Sequence, residues 1–402
     1  MNLDADDRTV DVVIVGAGPA GSTTAKHAAL NGAKVMMIEK RQDIGCPVRC
    51  GEGIARIWLD KVGIDPMPEW ITNQVKGARI FSSTGKVFTM DETLAGNECG
   101  YVVKREIFDK YLAKEAIKAG AEVMVKTQAL HLLRENGKIV GVRARHMDKE
   151  FDIRAKVVVG ADGFESLVGR WAGINTSIPV SDINSCFQYH LVGIDCSKDF
   201  NDFYIMSKAK GGYIWVFAKG DDEANVGIGL AANVCNEPGY AKKMLDEFIA
   251  THPKFAKGRA IEEVAGAVSC CQPIDDTVAN NVILVGDAAR QIDPLTGGGV
   301  VNSIIAGKIA GKVIGDALKE NNFSKEFFMT YDNGWRDAFE DKLYTNYKAR
   351  ETLLSLEDGV VDKIIDSLQG VMLDKITTEN IIEAVLEKYP DLEEELVEKL
   401  LG

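Results

Sequence analysis

The stretch from Val12 to Glu39 constrains the fold of this chain more than any other feature. A short apolar run is broken by the pattern G-A-G-P-A-G, which holds Gly16, Gly18 and Gly21. A helical stretch follows, and a second apolar run ends on Glu39. The order predicts a strand, a tight turn, a helix and a second strand, as in dinucleotide-binding βαβ units.

Each glycine of this pattern has a separate expected role. Gly16 makes the turn, Gly18 lets the backbone approach a pyrophosphate, and Gly21 lets the helix pack closely on the strand. The helix N-terminus offers free N–H groups and a partial positive charge to phosphates. Glu39 falls where an acid accepts hydrogen bonds from the adenosine ribose. The motif therefore predicts an adenine dinucleotide without deciding which one.

A second ligand-binding turn is predicted late in the chain. The buried-strand pattern N-V-I-L-V-G ends at Gly286 and is followed by Asp287. Three glycines, Gly297 to Gly299, then open a long helical stretch, which again offers free N–H donors. Two such sites suit a cofactor long enough to touch both, and FAD has that length. We expect its ribityl chain near Asp287 and its ring near Gly299, whereas an NAD-only enzyme would not need the second site.

Several shorter patterns lie between these two motifs. A helix is predicted after Arg105 and ends at Gly120, and Asn136-Gly137 predicts a tight β-hairpin. An apolar strand, Lys156 to Gly160, runs into Asp162-Gly163. That acid is either a ligand-facing carboxylate at the end of a strand or part of a tight turn.

The segment from Ile44 to Gly53, I-G-C-P-V-R-C-G-E-G, is predicted to be a loop because glycine and proline interrupt any regular element. Two interpretations stay open. The segment is a plain connection held by its turn residues, or the backbone of Cys50, Gly51 and Gly53 lies against the cofactor ring.

The pattern becomes β-rich between about Pro179 and Gln272. Tyr213, Trp215 and Phe217 alternate with apolar residues, so their rings should share one face of a strand. Such a wall is either ordinary core or the lining of a large apolar pocket.

Composition restricts the partners and the location of the protein. The net charge of −13 over 402 residues argues against nucleic acid. No apolar run approaches the roughly 20 residues of a membrane span, and the acidic N-terminus lacks a secretory signal, so we expect a cytoplasmic protein. The eight cysteines show no paired C-x-x-C spacing, so no metal site is expected and most thiols should be reduced and buried.

Three parts are predicted along the chain: a discontinuous dinucleotide-binding domain over 1–178 and 276–322, a β-rich substrate domain over 179–275, and a helical region over 323–402. In the last part, apolar residues recur at helical spacing on two faces. One face holds Ile382, Val385, Leu386 and Tyr389, and the other holds Leu392, Leu396 and Leu400. Because this tail is acidic, we expect it to cap a pocket or pack on the core.

The motifs G-A-G-P-A-G, G-D-A-A-R and D-P-L-T-G-G-G resemble those of FAD-dependent oxidoreductases of the aromatic-hydroxylase structural group. The loop C-P-V-R-C-G-E-G and the strand G-Y-I-W-V-F narrow the match. Together they resemble the geranylgeranyl reductase family, and within it the archaeal digeranylgeranylglycerophospholipid reductases. The resemblance extends over essentially the whole chain. It implies a mixed α/β fold: a Rossmann-type FAD-binding domain, an inserted antiparallel β-sheet substrate domain and a helical C-terminal region.

The resemblance also implies an activity, the saturation of isoprenoid double bonds in membrane lipid precursors by reduced FAD. Carried over by position, the flavin contacts would be Ala20, Glu39, Cys50, Gly51, Gly53, Arg105, Ala129, Asp287, Gly299 and Val300. The substrate channel would contain Tyr213, Trp215 and Phe217, and the catalytic residues would be Cys50, Tyr213 and Trp215. Ala218 stands where the family motif has proline, so this strand end lacks the stiffness of a proline and the local shape of the channel should differ.

The expected partners follow from that activity. They are an isoprenoid glycerophospholipid and an external electron donor, which is ferredoxin, a deazaflavin or NAD(P)H, with at most peripheral membrane contact. Two rival functions are a flavin monooxygenase or halogenase of the same fold, and a flavoprotein electron carrier that uses Cys46 and Cys50 without reducing an organic substrate.

Overall fold

The structure of the chain is a computed structural model that describes residues 7–91, 100–206, 209–356, 358–369 and 378–390. Its strands are β1 (Arg8–Val15), β2 (Val35–Ile38), β3 (Gly53–Ala55), β4 (Ile71–Gln74), β5 (Gly77–Phe81), β6 (Val87–Met90), β7 (Gly100–Val103), β8 (Glu122–Met124), β9 (Thr127–Glu135), β10 (Lys138–His146), β11 (Lys149–Gly160), β12 (Ile183–Val192), β13 (Phe200–Tyr204), β14 (Tyr213–Ala218), β15 (Glu223–Ala231), β16 (Arg259–Ser269), β17 (Val278–Ala279) and β18 (Val282–Leu284). Its α-helices are α1 (Pro19–Leu30), α2 (Arg56–Val62), α3 (Arg105–Lys118), α4 (Leu167–Ala172), α5 (Tyr240–Thr251), α6 (Val300–Glu320), α7 (Lys325–Ser355), α8 (Asp358–Ser367) and α9 (Thr378–Lys388).

The chain divides into two compact units, each built from three separate segments. The first unit is Met1–Val48, Arg105–Ile178 and Cys271–Thr345, and the second is Arg49–Lys104, Pro179–Cys270 and Asn346–Gly402. These bounds differ from the three parts predicted from the sequence. Residues 49–104 group with the second unit, and α7 begins in the first unit and ends in the second.

The first unit contains the predicted βαβ sheet. Its strand order is β17-β18-β11-β1-β2-β8, and β1 pairs in parallel with both β11 and β2. The last four residues of β1 and all of β2 are buried, which explains their unbroken apolar sequence. The predicted strand, turn, helix and strand are therefore confirmed.

The β9–β10 hairpin of the first unit turns at the predicted dipeptide. Asn136 and Gly137 both have positive φ, 49° and 80°, as a two-residue hairpin turn requires. β10 then pairs with β11, so the hairpin extends the parallel sheet with antiparallel strands.

A glycine stripe on α6 lets it pack very closely on α1. Gly307, Gly311 and Gly315 recur every four residues and face α1. A Cβ at Gly307 would lie 3.0 Å from the Ala20 carbonyl oxygen, and one at Gly315 would lie 2.4 Å from Cβ of Asn31. Since both helices advance in the same direction along this contact, they are parallel and their N-termini lie at the same end.

The second unit contains an antiparallel sheet with order β16-β12-β15-β14-β13-β5-β6, in which only the β13–β5 pair is parallel. A three-stranded sheet, β3-β7-β4, belongs to the same unit. One face of the larger sheet packs on α5 through residues such as Ile214 and Val216. The opposite face therefore carries the alternate side chains, including Tyr213 and Trp215.

The helical C-terminal region is confirmed within the described residues by α7, α8 and α9. Val385 is buried in a cluster with Leu386 and Tyr389, as predicted. The side chain of Ile382, and Leu392, Leu396 and Leu400, lie outside the described part of the chain. Across the ranges that the structure describes, no helix combines the length and the apolar character needed to cross a membrane.

Candidate functional site

The glycine turn between β1 and α1 is shaped by its neighbours in the first unit. Gly16 has φ of +106°, and a Cβ there would lie 2.2 Å from the Ala161 carbonyl oxygen. A Cβ at Gly21 would lie 1.9 Å from the Gly16 carbonyl oxygen, so both positions exclude any side chain. Gly18 differs, because a Cβ at that position would have no neighbour within 4 Å among the described residues. The turn is therefore tightly packed at Gly16 and Gly21. It is open at Gly18, where a pyrophosphate would approach.

Glu39 closes this turn from the end of β2. Its carboxylate accepts hydrogen bonds from the backbone N–H of Ala17 at 3.1 Å and of Arg41 at 2.9 Å. A carboxylate has about four acceptor positions, so capacity is left for ribose hydroxyls. The Glu39 carbonyl oxygen accepts from the Thr127 N–H at 2.8 Å, which brings the start of β9, and with it buried Ala129, to the same edge.

The second predicted turn lies directly against the helix N-termini. Gly286 has φ of +72°, and a Cβ there would lie 2.7 Å from Cβ of Ala20 and 2.9 Å from Oγ of Ser303. Ala20 belongs to the first turn of α1 and Ser303 to the first turns of α6. One glycine therefore touches both helix starts.

The Gly286 turn is held from behind by a buried relay that sequence reasoning missed. The Gly286 N–H donates to Oε1 of Gln291 at 2.7 Å, and Nε2 of Gln291 donates to the Tyr331 hydroxyl at 2.9 Å. The Tyr331 hydroxyl donates in turn to the Leu284 carbonyl oxygen at 2.7 Å. Tyr331 lies on α7, 40 residues further along the chain than Gln291, so no local pattern signals the contact.

The carboxylate of Asp287 lies between the Gly286 turn and the start of α6. It is half-buried, and none of the described residues donates a hydrogen bond to its side chain. Burial raises the pKa of the Asp287 carboxyl, and the positive charges of Arg105 and Arg290 oppose that rise. A Cβ at Gly299 would lie 3.0 Å from Oδ1 of Asp287, so the start of α6 passes close beside this acid.

The N-termini of α1 and α6 form a paired donor site. The first helical N–H bonds are Ser22 to the Gly18 oxygen and Ser303 to the Gly299 oxygen. The preceding N–H groups, including those of Gly21 and Val300, have no acceptor within their helices. Two parallel helices thus direct free donors and partial positive charge toward one end of the unit. With Gly18, Glu39 and Asp287, this donor set fits the pyrophosphate, ribose and ribityl groups of FAD.

Two more residues singled out from the sequence, Arg105 and Asp162, lie in the first unit. Arg105 opens α3 and is held by a bidentate salt bridge to Asp109, with N–O distances of 2.8 and 3.0 Å. Asp162 accepts a hydrogen bond from the Val168 N–H at 3.0 Å, and Gly163 after it has φ of +74°. The tight turn is therefore present at Asp162, and its Oδ1 is buried without a partner among the described residues.

The loop that contains Cys50 is fixed to the sheets of the second unit through three successive carbonyl groups. The Cys50 oxygen accepts from Nε2 of Gln188 at 3.2 Å, and the Gly51 oxygen accepts from Nδ2 of Asn225 at 3.2 Å. The Glu52 oxygen accepts from the Val103 N–H at 2.9 Å. Donors from neighbouring strands therefore hold each of these carbonyl groups, while contact of the loop with a cofactor stays a prediction.

Glu52 adds a buried ion pair to this arrangement. Its side chain is only 4% exposed, and Oε2 accepts from Nζ of Lys219 at 2.5 Å and from Nδ2 of Asn225 at 2.8 Å. The backbone of Glu52 has φ of +74°, an uncommon conformation for a residue with a side chain. Its N–H donates to Sγ of Cys50 at 3.3 Å.

The predicted aromatic wall is present on the face of the sheet opposite α5. The rings of Tyr213 and Trp215 make an edge contact at 6.0 Å between centroids. Phe203, from the neighbouring strand β13, contacts Tyr213 and Phe217 at 5.4 Å each. Sequence reasoning missed Phe203 because F-N-D-F-Y has no two-residue apolar alternation. Its register partner Trp215 places it on the face of the wall.

The Phe217 ring leaves little room for a side chain at two positions of the Cys50 loop, and both are glycine. A Cβ at Gly51 would lie 2.9 Å from Cε2 of Phe217, and one at Gly53 would lie 3.1 Å from the same atom. Phe217 itself is 9% exposed and packs with Val75 and Val102, so this end of the wall is core. Tyr213 and Trp215 are half-buried, and their role as the lining of an apolar pocket stays a prediction.

The Trp215 side chain on β14 crosses the neighbouring strand β15 at a glycine and reaches strand β12. In the strand register, Gln188 of β12, Gly227 of β15 and Trp215 of β14 form one row. A Cβ at Gly227 would lie 2.2 Å from Cζ2 of Trp215, so the indole ring lies directly on that backbone. Its Nε1 then donates to Oε1 of Gln188 at 2.8 Å.

The two loop cysteines have different surroundings. Burial raises the pKa of the Cys46 thiol to about 11, and the nearby Asp43 carboxylate adds to the rise. Cys50 is half-buried and receives the Glu52 N–H. Cys50, Gly51 and Gly53 lie in the second unit, and their assignment to the cofactor stays a prediction.

Comparison with known proteins matches both halves of this description. Residues 11–189 match the family model described as "FAD dependent oxidoreductase", and residues 182–268 match "Geranylgeranyl reductase catalytic domain". A digeranylgeranylglycerophospholipid reductase of Picrophilus torridus is 45% identical over 96% of this chain and 98% of its own length. One of Methanocella arvoryzae is 44% identical over the same shares.

Two solved structures are also similar to this chain over nearly its whole length. The crystal structure of a geranylgeranyl bacteriochlorophyll reductase-like protein from Thermoplasma acidophilum has a TM-score of 0.91 at 44% identity, covering 98% of this chain and 99% of that chain. A flavin-dependent brominase triple mutant has a TM-score of 0.71 at 19% identity, covering 95% of this chain and 100% of that chain, which shows the shared fold alone.

Proposed function

This chain belongs to the digeranylgeranylglycerophospholipid reductase family, and on that premise we propose that it saturates isoprenoid double bonds of a geranylgeranylated glycerophospholipid with reduced FAD. The observation that carries the proposal is the pairing of two helix N-termini around Gly286. This geometry suits a long anionic dinucleotide, and the same chain carries a half-buried part of an aromatic wall suited to an apolar polyene.

The residues that would hold FAD are those of the first unit. Gly18 and the first turn of α1 would receive the pyrophosphate, and Glu39 the adenosine ribose. The Asp287 carboxylate would accept hydrogen bonds from the ribityl hydroxyls, and Gly299 and Val300 would donate N–H groups to the ring edge. When bound and reduced, FAD supplies the hydride for the reaction.

The half-buried end of the aromatic wall would receive the isoprenoid chain. An isolated alkene has no carbonyl group to polarise, so positive charge develops at its more substituted carbon during the reduction. The ring faces of Tyr213 and Trp215 would stabilise that charge in a site from which water is excluded. Phe217, covered by Gly51 and Gly53, would support the wall from its buried end.

A proton must reach the other alkene carbon. The Cys50 thiol is the catalytic group we propose for this step, either as the donor or as the group that positions it. Cys50→Ser would retain a hydroxyl donor and Cys50→Ala would not, so the ratio of their turnover rates separates a proton donor from a structural thiol.

The partners beyond the lipid stay as predicted from the sequence. The reaction consumes reduced flavin, so an external donor must restore it, and ferredoxin, a deazaflavin and NAD(P)H are the three classes to compare. Because the lipid substrate resides in a membrane, we propose peripheral contact of a cytoplasmic protein with that surface.

Mass spectrometry of the lipid tests the proposed function directly. The purified protein, reduced with dithionite under anaerobic conditions, is incubated with a geranylgeranylated archaeal glycerophospholipid. We expect a mass increase of one pair of hydrogen atoms for each bond saturated. An unchanged lipid in the presence of fully flavin-loaded, reduced protein would contradict the proposal.

A further inference from the structure

Gln188 is hydrogen-bonded both to the aromatic wall and to the Cys50 loop, which also contact each other through Phe217 and Gly51. Its side-chain amide makes two hydrogen bonds in opposite directions within the second unit: Oε1 accepts from Nε1 of Trp215 at 2.8 Å, and Nε2 donates to the Cys50 carbonyl oxygen at 3.2 Å. Gln188 is 7% exposed, whereas Trp215 and Cys50 are half-buried, so both bonds are partly shielded from water. A single buried amide therefore connects the ring of the wall to the backbone of the loop.

We propose that Gln188 is a positioning residue for the reduction, which sets the orientation of the Trp215 indole relative to the Cys50 loop. The proposal rests on the proposed function of the wall. An amide suits this task because it offers an acceptor and a donor in one rigid plane. An aliphatic side chain of similar size would leave both the indole N–H and the Cys50 carbonyl without their partner.

The indole depends on Gln188 because the backbone below it offers no lateral support. Gly227 carries no side chain, and the ring lies directly over it. The indole edge also lies beside the loop, since a Cβ at Gly51 would be 3.3 Å from its Nε1. Among these contacts, the hydrogen bond to Gln188 is the directional one. Tyr213 makes only an edge contact with the indole, at 6.0 Å between centroids.

The loop has a second, independent attachment, which makes the role of Gln188 separable from folding. Asn225 bonds to the Gly51 oxygen, and the buried pair of Lys219 and Glu52 bonds through Glu52 Oε2. We expect these contacts to remain when Gln188 is replaced. Loss of the Gln188 amide should therefore change the orientation of Trp215 more than the position of the loop.

A double-mutant cycle with Gln188→Leu and Trp215→Phe tests the proposal. Both substitutions break the same bond, because phenylalanine has no N–H. We expect Gln188→Leu to lower kcat for lipid reduction by about tenfold in the native background, since misplaced groups lose rate steeply. In the Trp215→Phe background, the same change should have a much smaller effect. Equal factors in the two backgrounds would overturn the proposal.

A measurement that does not depend on lipid turnover tests this proposal separately from the proposed function. It is the hydrogen exchange of the Trp215 indole N–H. The chain has five tryptophans, so Trp215→Phe identifies the Trp215 indole N–H signal in a ¹H–¹⁵N spectrum. We expect hydrogen exchange of that N–H to become much faster in Gln188→Leu. His190→Gln, on the same strand but bonded to Glu223 at 3.0 Å, is the matched control and should leave it unchanged.

Gln188→Glu covers the case in which Gln188→Leu does not fold. It keeps the acceptor for the indole and removes the donor to the Cys50 oxygen, so slow exchange of the Trp215 N–H should persist. Fast exchange in Gln188→Glu, or slow exchange in Gln188→Leu, would overturn the assignment. If native protein fails to reduce the lipid while the exchange results hold, the proposed function fails and the geometry stands.

Discussion

A methyl group at Gly227 would lie 2.2 Å from Cζ2 of Trp215, whereas one at Gly229 would meet its nearest neighbour, Sγ of Cys186, at 3.4 Å. The two glycines are on the same face of β15, two residues apart. Real Cβ atoms do not approach as closely as the first distance, while the second is an ordinary van der Waals contact. The difference gives a test of the aromatic wall at the scale of one atom.

We expect Gly227→Ala to displace the Trp215 indole and to lower lipid turnover by about tenfold or more. Gly229→Ala is the matched control and should keep turnover near the native rate. Bound FAD should stay at native levels in both variants, as measured by flavin absorbance per protein. Equal turnover in the two variants would contradict the placement of substrate at Trp215.

Asp287→Ala should weaken FAD binding, because the carboxylate is an acceptor that no described side chain engages. A hydrogen bond to a charged group contributes roughly 1.5–3 kcal/mol, so Kd for FAD should rise by about tenfold or more. Quenching of flavin fluorescence during titration of apoprotein measures this. Asp316→Ala, an exposed acid of α6 paired with Lys319, should leave Kd unchanged. Native affinity in Asp287→Ala would rule out the ribityl contact.

Cys46 should be a slow nucleophile at neutral pH. Its pKa is raised by burial from 9.0 to about 11, and the thiolate is the reactive form, so the reactive fraction at pH 8 should be about a hundredfold lower than for an ordinary thiol. Alkylation by iodoacetamide, followed by peptide mass spectrometry, should be slow at pH 8 and rise about tenfold per pH unit toward pH 11. Rapid, pH-independent alkylation would support the electron-carrier alternative, which needs a reactive Cys46.

At the scale of elements, the close contact of α1 and α6 sets the separation of their N-termini. A Cβ at Gly311 would lie 2.5 Å from Cβ of His27 and 2.7 Å from the backbone nitrogen of Ala28. Neither neighbour is the flexible end of a side chain. The helices must therefore move apart if residue 311 gains a side chain, and the donor groups at their N-termini move with them.

Gly311→Ala should lower the free energy of unfolding by about 1–3 kcal/mol, as overpacking does, and should also weaken FAD binding. Gly359→Ala is the control, since nothing among the described residues lies within 4 Å of a Cβ at that helical position. That variant should be neutral or more stable by up to about 1 kcal/mol. Urea denaturation measures both. A Gly311→Ala protein as stable as the native one would contradict the described helix contact.

Much of the element structure can be predicted from the sequence because its signals are local. The turn glycines, the Asn136-Gly137 hairpin and the alternation around Trp215 each depend on neighbours within a few residues. The stripe at Gly307, Gly311 and Gly315 was equally readable, as glycines four residues apart on a helix, but sequence reasoning did not use it. The contacts of the Cys50 loop were not readable, because Gln188 and Asn225 are 138 and 174 residues from the carbonyl groups they bind. Sheet register alone brings them there.

At the level of the whole molecule, each unit assembles the groups we propose to face a ligand from distant parts of the chain. The first unit joins β1 and α1 to a strand that begins at residue 282 and a helix that begins at residue 300. The second unit joins the loop after Arg49 to strands β12 and β15, which begin at residues 183 and 223. The sequence motifs indicate which segments bind ligand, while the supporting residues Gln291, Tyr331, Gln188 and Asn225 follow only from the tertiary structure.

The most direct test of the account is the anaerobic absorbance spectrum of the flavin when reduced protein meets lipid. We predict that a geranylgeranylated glycerophospholipid restores the oxidised flavin spectrum, while the fully saturated lipid of the same headgroup does not. Flavin that stays reduced with both lipids, or protein that binds no FAD on reconstitution, would contradict it.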